Sequence, residues 1–95
     1  MQITIRFSGP LRALAGRSEL ALPLAEGATL RDLLHALRPA LPPAFDEQVV
    51  RPLETGAGSL ALVLVNRVHR RGPAALDHPL ADGDVVAFVP PMAGG

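Results

Sequence analysis

Leu30, Leu33, Leu34 and Leu37 follow Thr29 at the spacing i, i+3, i+4 and i+7, which places all four on one face of an α-helix. No other stretch constrains the fold as strongly. A helix with a single apolar face must lay it on an apolar layer, and the rest of the chain offers strands to form one. The boundaries of the helix are also written locally. Thr29 is placed to accept the backbone N–H of the third helical residue, a cap worth about 1 kcal/mol, and Asp32 stands where a capping-box acid favours the positive end of the helix dipole. Arg38 complements the other end, and Pro39 is expected to stop the helix.

On either side of this helix the apolar residues alternate. Ile3, Ile5 and Phe7 interleave with Gln2, Thr4 and Arg6, the period-2 pattern of a strand with one buried face. Ser8-Gly9-Pro10 breaks the pattern and Leu11 to Ala15 fits a short helical turn. Gly16 then lets the chain reverse, so that Leu20 and Leu22 resume the alternation in a second, antiparallel strand. Beyond the helix, the continuous apolar run Leu60 to Val65 is expected to be a strand buried on both faces. Asn66 suits a left-handed turn, after which Val68 to Arg71 return as a short, charge-tolerant edge strand. Asp82-Gly83-Asp84 turns the chain into a last strand, Val85 to Val89. Strand, strand, helix, strand, short strand, strand is the order of a β-grasp, ubiquitin-like α+β fold: a mixed sheet of about five strands with one main helix on one face.

Two stretches can be read in more than one way. Residues 39–59 contain Pro39, Pro42, Pro43, Pro52 and Gly56-Ala57-Gly58-Ser59, which argue against regular structure over most of the length. Phe45, Val49, Val50 and Leu53 can still anchor one short helix or extended segment on the core. In the last strand Val86 and Phe88 point one way and Val85, Ala87 and Val89 the other. If the helix covers the Phe88 side, the second set is an apolar stripe. That stripe either faces solvent as a partner-binding surface or lies beneath the 39–59 excursion.

Composition removes most other chemistry. Ninety-five residues, 48% of them apolar, suit a single domain over residues 1–95, with 90–95 as an extended, flexible tail. Nine arginines balance nine acids and there is no lysine, so the formal charge is zero and the footprint of a nucleic-acid or anionic-membrane binder is missing. Phe7, Phe45 and Phe88 are too few for a base-stacking platform and belong in the core. The absence of cysteine excludes disulfides, thiolate metal sites and a cysteine nucleophile. His35 falls off the leucine stripe, and His69 and His78 have no ligand spacing to each other or to the acids, so no metal site is expected. Asp-Gly-Asp is turn chemistry. With no nucleophile–base–acid set, phosphate loop or dinucleotide fingerprint, the chain is not an enzyme on its own and binds no cofactor. Met1-Gln2-Ile3-Thr4 alternates rather than forming a signal peptide, and no apolar run approaches the roughly 20 residues of a membrane span, so a cytoplasmic protein is expected.

The sequence closes with Pro90-Pro91-Met92-Ala93-Gly94-Gly95. Lacking a Cβ, Gly94-Gly95 can thread a narrow active-site tunnel and present a carboxyl carbon, although small terminal residues are also found where an end makes no contacts. The C-terminal carboxylate is the reactive handle that survives elimination. Its charge and resonance oppose nucleophilic attack, so it must first be activated, most simply as an acyl-adenylate made from ATP by another protein. Sulfur transfer would then give a thiocarboxylate, and an amine would give an amide or isopeptide bond. Pro90 and Pro91, with fixed φ and no N–H, either project the residues beyond them away from the sheet or simply end the strand.

Val65-Asn66, Leu76-Asp77-His78-Pro79-Leu80-Ala81-Asp82-Gly83-Asp84, Val86-Ala87-Phe88 and Pro90 to Gly95, in this order, resemble the small subunit of molybdopterin synthase. That subunit typifies the MoaD family within the MoaD/ThiS superfamily of ubiquitin-like sulfur carriers. Phe7, Leu11-Arg12 and Gly16 resemble that family's first strand and loop. The resemblance implies a β-grasp carrier whose Gly95 carboxylate is adenylated by an E1-like enzyme, which uses the ATP, and is then converted to a thiocarboxylate. It further implies a hetero-oligomer with the large synthase subunit, which receives the tail and builds the dithiolene of molybdopterin from a cyclic pyranopterin precursor. Gly94 and Gly95 would be the working end and Pro90, Pro91, Met92 and Ala93 the threaded segment. Val89 would face the partner, and Arg12 would match an arginine near the interface. The chain departs from the family pattern in a first loop lengthened by one residue at Ser8-Gly9-Pro10 and in a longer proline-rich middle. That middle is similar to longer relatives, some of which serve other sulfur pathways or modify proteins. The competing readings are a carrier for thiamine or another sulfur metabolite, a ubiquitin-like protein modifier, and a non-reactive β-grasp binding module.

Overall fold

The expected strand segments form β1 (Gln2–Phe7), β2 (Glu19–Pro23), β3 (Leu62–Val65), β4 (Val68–Arg70) and β5 (Val85–Val89) in the computed structural model, which describes residues 1–56 and 61–91. They make one mixed sheet in the order β2-β1-β5-β3-β4. β1 pairs antiparallel with β2 and parallel with β5, and β3 runs antiparallel to both β5 and β4. The two outer elements of the sequence thus meet at the middle of the sheet, with Ile5 opposite Val86 and Phe7 opposite Phe88.

α1 (Pro10–Ala15) follows β1 and closes on Gly16 in the left-handed region, while α2 (Leu30–Ala40) carries the leucine stripe. Leu30, Leu33, Leu34 and Leu37 are at most 1% exposed. They form one buried cluster with Ile3, Ile5 and Phe7 of β1, Val63 and Val65 of β3, and Val86 and Phe88 of β5. The capping box is complete: Thr29 Oγ1 accepts the Asp32 N–H at 3.4 Å, and the Asp32 carboxylate accepts the Thr29 N–H at 2.9 Å. Pro39 does not stop α2 at its own position. The helix runs on to Ala40, because only the bond that the Pro39 nitrogen cannot donate is lost, and the Leu41 N–H still closes on Leu37 O at 3.0 Å.

The proline-rich middle is more regular than its composition suggests. Pro43–Phe45, a wide five-residue turn at Asp46–Val50, and Arg51–Thr55 run end to end as helix. The prolines fall where a missing N–H does least harm: Pro42 at the cap, Pro43 at the first helical position, and Pro52 immediately after the wide turn, which closes through Arg51 N–H to Asp46 O. Phe45, Val49 and Val50 are buried. Arg38 of α2 reaches this segment, donating to Asp46 at 2.9 Å and to Glu54. Arg51 joins Asp46 at 3.0 Å, and His35 pairs with Glu54 at 2.9 Å.

β3 differs from its expectation. Val63 and Val65 are buried on the helix side, whereas Leu62 and Leu64 on the other side are only half-buried, because no described element covers that face. The edge strand ends at Arg70, one residue earlier than its sequence suggests. No helix among the described residues is long and apolar enough to cross a membrane.

Candidate functional site

The start of β5 is fixed by a turn-to-turn lattice of hydrogen bonds. Asn66 and Arg67 lie at φ 49° and 72°, the left-handed geometry of a tight two-residue hairpin turn. From that turn the Asn66 side chain accepts the Val85 N–H at 2.9 Å and donates to Asp84 Oδ1 at 2.8 Å. Asp84 Oδ2 accepts the Ala81 N–H at 2.8 Å, and Asp82 Oδ1 accepts the Gln2 N–H at 2.7 Å. Asp82 and Asp84 are therefore employed in holding backbone, and β5 enters the sheet in a single register. No group of three or more His, Asp or Glu side chains able to hold a metal ion occurs among the described residues.

At the other end of β5 the chain leaves the middle of the sheet. The Ser8 N–H donates to Phe88 O at 3.1 Å, which carries the β1–β5 pairing into the first loop. Gly9 follows at φ 58° and ψ −137°, and its α-carbon faces Pro90: a Cβ built there would stand 3.3 Å from Pro90 Cγ. Pro90 is half-buried and Pro91 exposed. The Arg12 N–H donates to Gly9 O at 3.1 Å, so the exposed Arg12 sits on the first turns of α1 beside the same exit. In the core on the helix side of β1 and β5 the three aromatic side chains meet. Phe7 and Phe88 stack at 5.8 Å, and Phe45 meets each edge-on at 5.3 and 5.4 Å.

The register also settles the two orientations of the last strand. Val86 and Phe88 are buried under α2 and the 43–55 segment, and the Phe45 contacts put that segment on the helix side. Val85, Ala87 and Val89 lie on the opposite face, all half-buried, with Leu62 opposite Val89 and Leu64 opposite Ala87. Together the five residues form an apolar stripe ending where the tail departs. Leu62 and Leu64 were not recognised as part of it from sequence, because an unbroken apolar run gives no facing; pairing LVLV against the last strand would have exposed the alternation. Gly9 carried no sequence signal beyond that of a strand breaker.

Val89, Pro90, Pro91 and Arg12 are thus brought to one end of the molecule. Met92, Ala93, Gly94 and Gly95 lie outside the described residues. What the described end offers chemically is a two-proline exit from the middle strand, packed against Gly9 and flanked by an apolar face.

Comparison with known proteins places this arrangement. The model of the ThiS family matches residues 5–95. Among solved structures, a putative molybdopterin converting factor subunit 1 from Pyrococcus furiosus is 28% identical with a TM-score of 0.76, over 97% of this chain and 99% of the other. SAMP1 from Haloferax volcanii is 28% identical with a TM-score of 0.75, over the whole of both chains. Urm1 from Trypanosoma brucei is 28% identical with a TM-score of 0.71, over 99% of this chain and 95% of the other. No curated protein matches the chain by sequence. With a family match across nearly its whole length and a five-stranded sheet closed over one main helix, the chain belongs to the ThiS family, within the β-grasp superfamily of ubiquitin-like sulfur carriers and small modifier proteins.

Proposed function

We propose that this protein is the sulfur-carrying small subunit of a molybdopterin synthase, non-catalytic by itself, with the Gly95 carboxylate as its working group. The observation that carries the reading is the exit of Val89-Pro90-Pro91 from the middle strand, alongside the stripe Leu62, Leu64, Val85, Ala87 and Val89. A partner can hold the body by that stripe while the tail enters its active site. An E1-like enzyme would first join the Gly95 carboxylate oxygen to the α-phosphorus of ATP, releasing pyrophosphate. A sulfide-level nucleophile would then attack the acyl carbon, AMP leaving with the oxygen, to give the thiocarboxylate. The large synthase subunit would accept the tail and consume that sulfur. Arg12, beside the exit, would meet the partner's rim, and Pro90 to Ala93 would be the threaded segment.

The likeness to the Pyrococcus protein supports this pathway. The equal identity to SAMP1 supports a second reading in which an amine, rather than sulfur, takes the activated acyl group and the protein becomes a modifier. Both readings share adenylation at Gly95. Complementation separates them: expressed in a strain lacking the synthase small subunit, the protein is expected to restore molybdenum-cofactor-dependent enzyme activity. A strain that remains deficient, while the protein accumulates and is adenylated, would overturn the molybdopterin assignment and leave the modifier reading.

A further inference from the structure

We propose that Gly9 is a positioning residue for the tail, setting the direction in which Pro90 and Pro91 leave the sheet; this rests on the carrier reading above. Three observations converge on it. The Gly9 backbone, at φ 58° and ψ −137°, lies in a region that L-residues with a side chain rarely enter. It is pinned from both sides, since the Ser8 N–H is bonded to Phe88 O at 3.1 Å and Gly9 O receives the Arg12 N–H at 3.1 Å. The place a Cβ would take is 3.3 Å from Pro90 Cγ and 3.7 Å from Pro90 Cδ. The pyrrolidine ring thus seats against a bare α-carbon on a loop that cannot easily shift.

Among the described residues, the other glycines of positive φ lack this relation. Gly27, Gly56, Gly72 and Gly83 have nothing within 4 Å of a built Cβ, and Gly16 has only Pro42 Cγ at 3.9 Å. At those positions backbone conformation alone accounts for glycine. At Gly9 there is also a ring to be accommodated, and that ring begins the tail. Because φ of proline is fixed, displacing the Pro90 ring turns the whole departing chain rather than one side chain. On the carrier reading the reacting carboxylate lies beyond Pro90 in the sequence, so the direction given at Pro90 and Pro91 sets where the tail begins its approach to the activating enzyme. The body should still dock normally, because the apolar stripe lies on the sheet face and does not include Gly9.

The test uses the full chain and ATP–pyrophosphate exchange catalysed by its E1-like activating enzyme, with Gly9→Ala, Pro90→Ala and the double variant. Gly9→Ala is expected to lower kcat about tenfold with KM for the carrier within about twofold, since misplacing a reacting group by a fraction of an ångström to an ångström costs this much or more. In the Pro90→Ala background, which lacks the ring atoms, Gly9→Ala should cause no further loss of kcat, although its cost to thermal stability persists. That separation of activity from stability is what a merely structural glycine would not produce. Equal kcat for wild type and Gly9→Ala, or the same fold-loss in both backgrounds, would overturn the proposal while leaving the carrier reading intact. Wild type that supports no exchange would instead defeat the carrier reading. Should Gly9→Ala fail to fold, nuclear Overhauser contacts between Gly9 Hα and the Pro90 ring protons in the wild-type protein decide the matter: their presence is required, and their absence refutes the seating.

Discussion

At the scale of single residues, the best-determined features are those that satisfy backbone groups. Thr29 and Asp32 close the first turn of α2 reciprocally, so Thr29→Ala is expected to lower unfolding free energy by about 1 kcal/mol, measurable by urea denaturation. The Asp32 carboxyl is held below its ordinary value of 3.8, first by the hydrogen bond it accepts from the Thr29 backbone N–H. A lowered value in the folded state means that this contribution is present above the ordinary carboxylate range and is lost as pH falls through the folded value. Asp32→Asn should therefore flatten the acid side of the stability profile, and an unchanged profile would contradict the assignment. Arg67 sits at φ 72° in the hairpin turn without the freedom of glycine, so Arg67→Gly is expected to stabilise the protein by about 0.5–1 kcal/mol in the same assay. The capping box and the left-handed Asn66 were legible from sequence, because each depends on neighbours a few positions away. The Gly9–Pro90 seat was not, since it exists only through the parallel pairing of the first and last strands.

At the scale of elements, the 43–55 segment is where pattern and structure diverge most. Its prolines counted against helix, yet each falls at a cap, a first turn or beside the wide turn. Register, not number, decides what a proline costs. The apolar positions Phe45, Val49 and Val50 did mark its buried side. Phe45 ties the segment to Phe7 of β1 and Phe88 of β5, and Phe45→Ala is expected to cost about 3–5 kcal/mol, read as a large loss in denaturation midpoint. Arg38 holds the outer side. Its removal leaves Asp46 and Glu54, whose side chains are only 16% and 15% exposed, without their shared cation. Arg38→Met should destabilise by about 1 kcal/mol, less at high salt, since the Arg38 side chain is 40% exposed and its pairs are open to screening. By contrast, the leucine face of α2 and the first and last strands were readable because their periodicities are uninterrupted.

At the scale of the whole molecule, Pro90 and Pro91 leave the sheet beside an apolar face, and the proposed function leaves the chemistry to partners. The face should tolerate charge in the free protein but not in a complex. Leu64→Glu is expected to leave the melting temperature nearly unchanged and to weaken binding to the activating enzyme by about 2–3 kcal/mol, measured by calorimetry, as for a residue central to an interface. Unchanged affinity would mean that partners dock elsewhere. The order of elements and the β-grasp class followed from sequence, whereas the choice between an open and a covered second face did not, because strand alternation alone does not say where the 39–59 stretch packs. The inclusion of β3 in the stripe needed the observed register. The central claim, that the chain is a carrier charged at Gly95, is tested most directly by intact-protein and C-terminal peptide mass spectrometry after co-expression with an E1-like adenylating enzyme and a sulfur source. The account predicts exchange of one oxygen for sulfur, localised to Gly95. An unmodified Gly95 under conditions where a known carrier is charged by its own enzyme would contradict it.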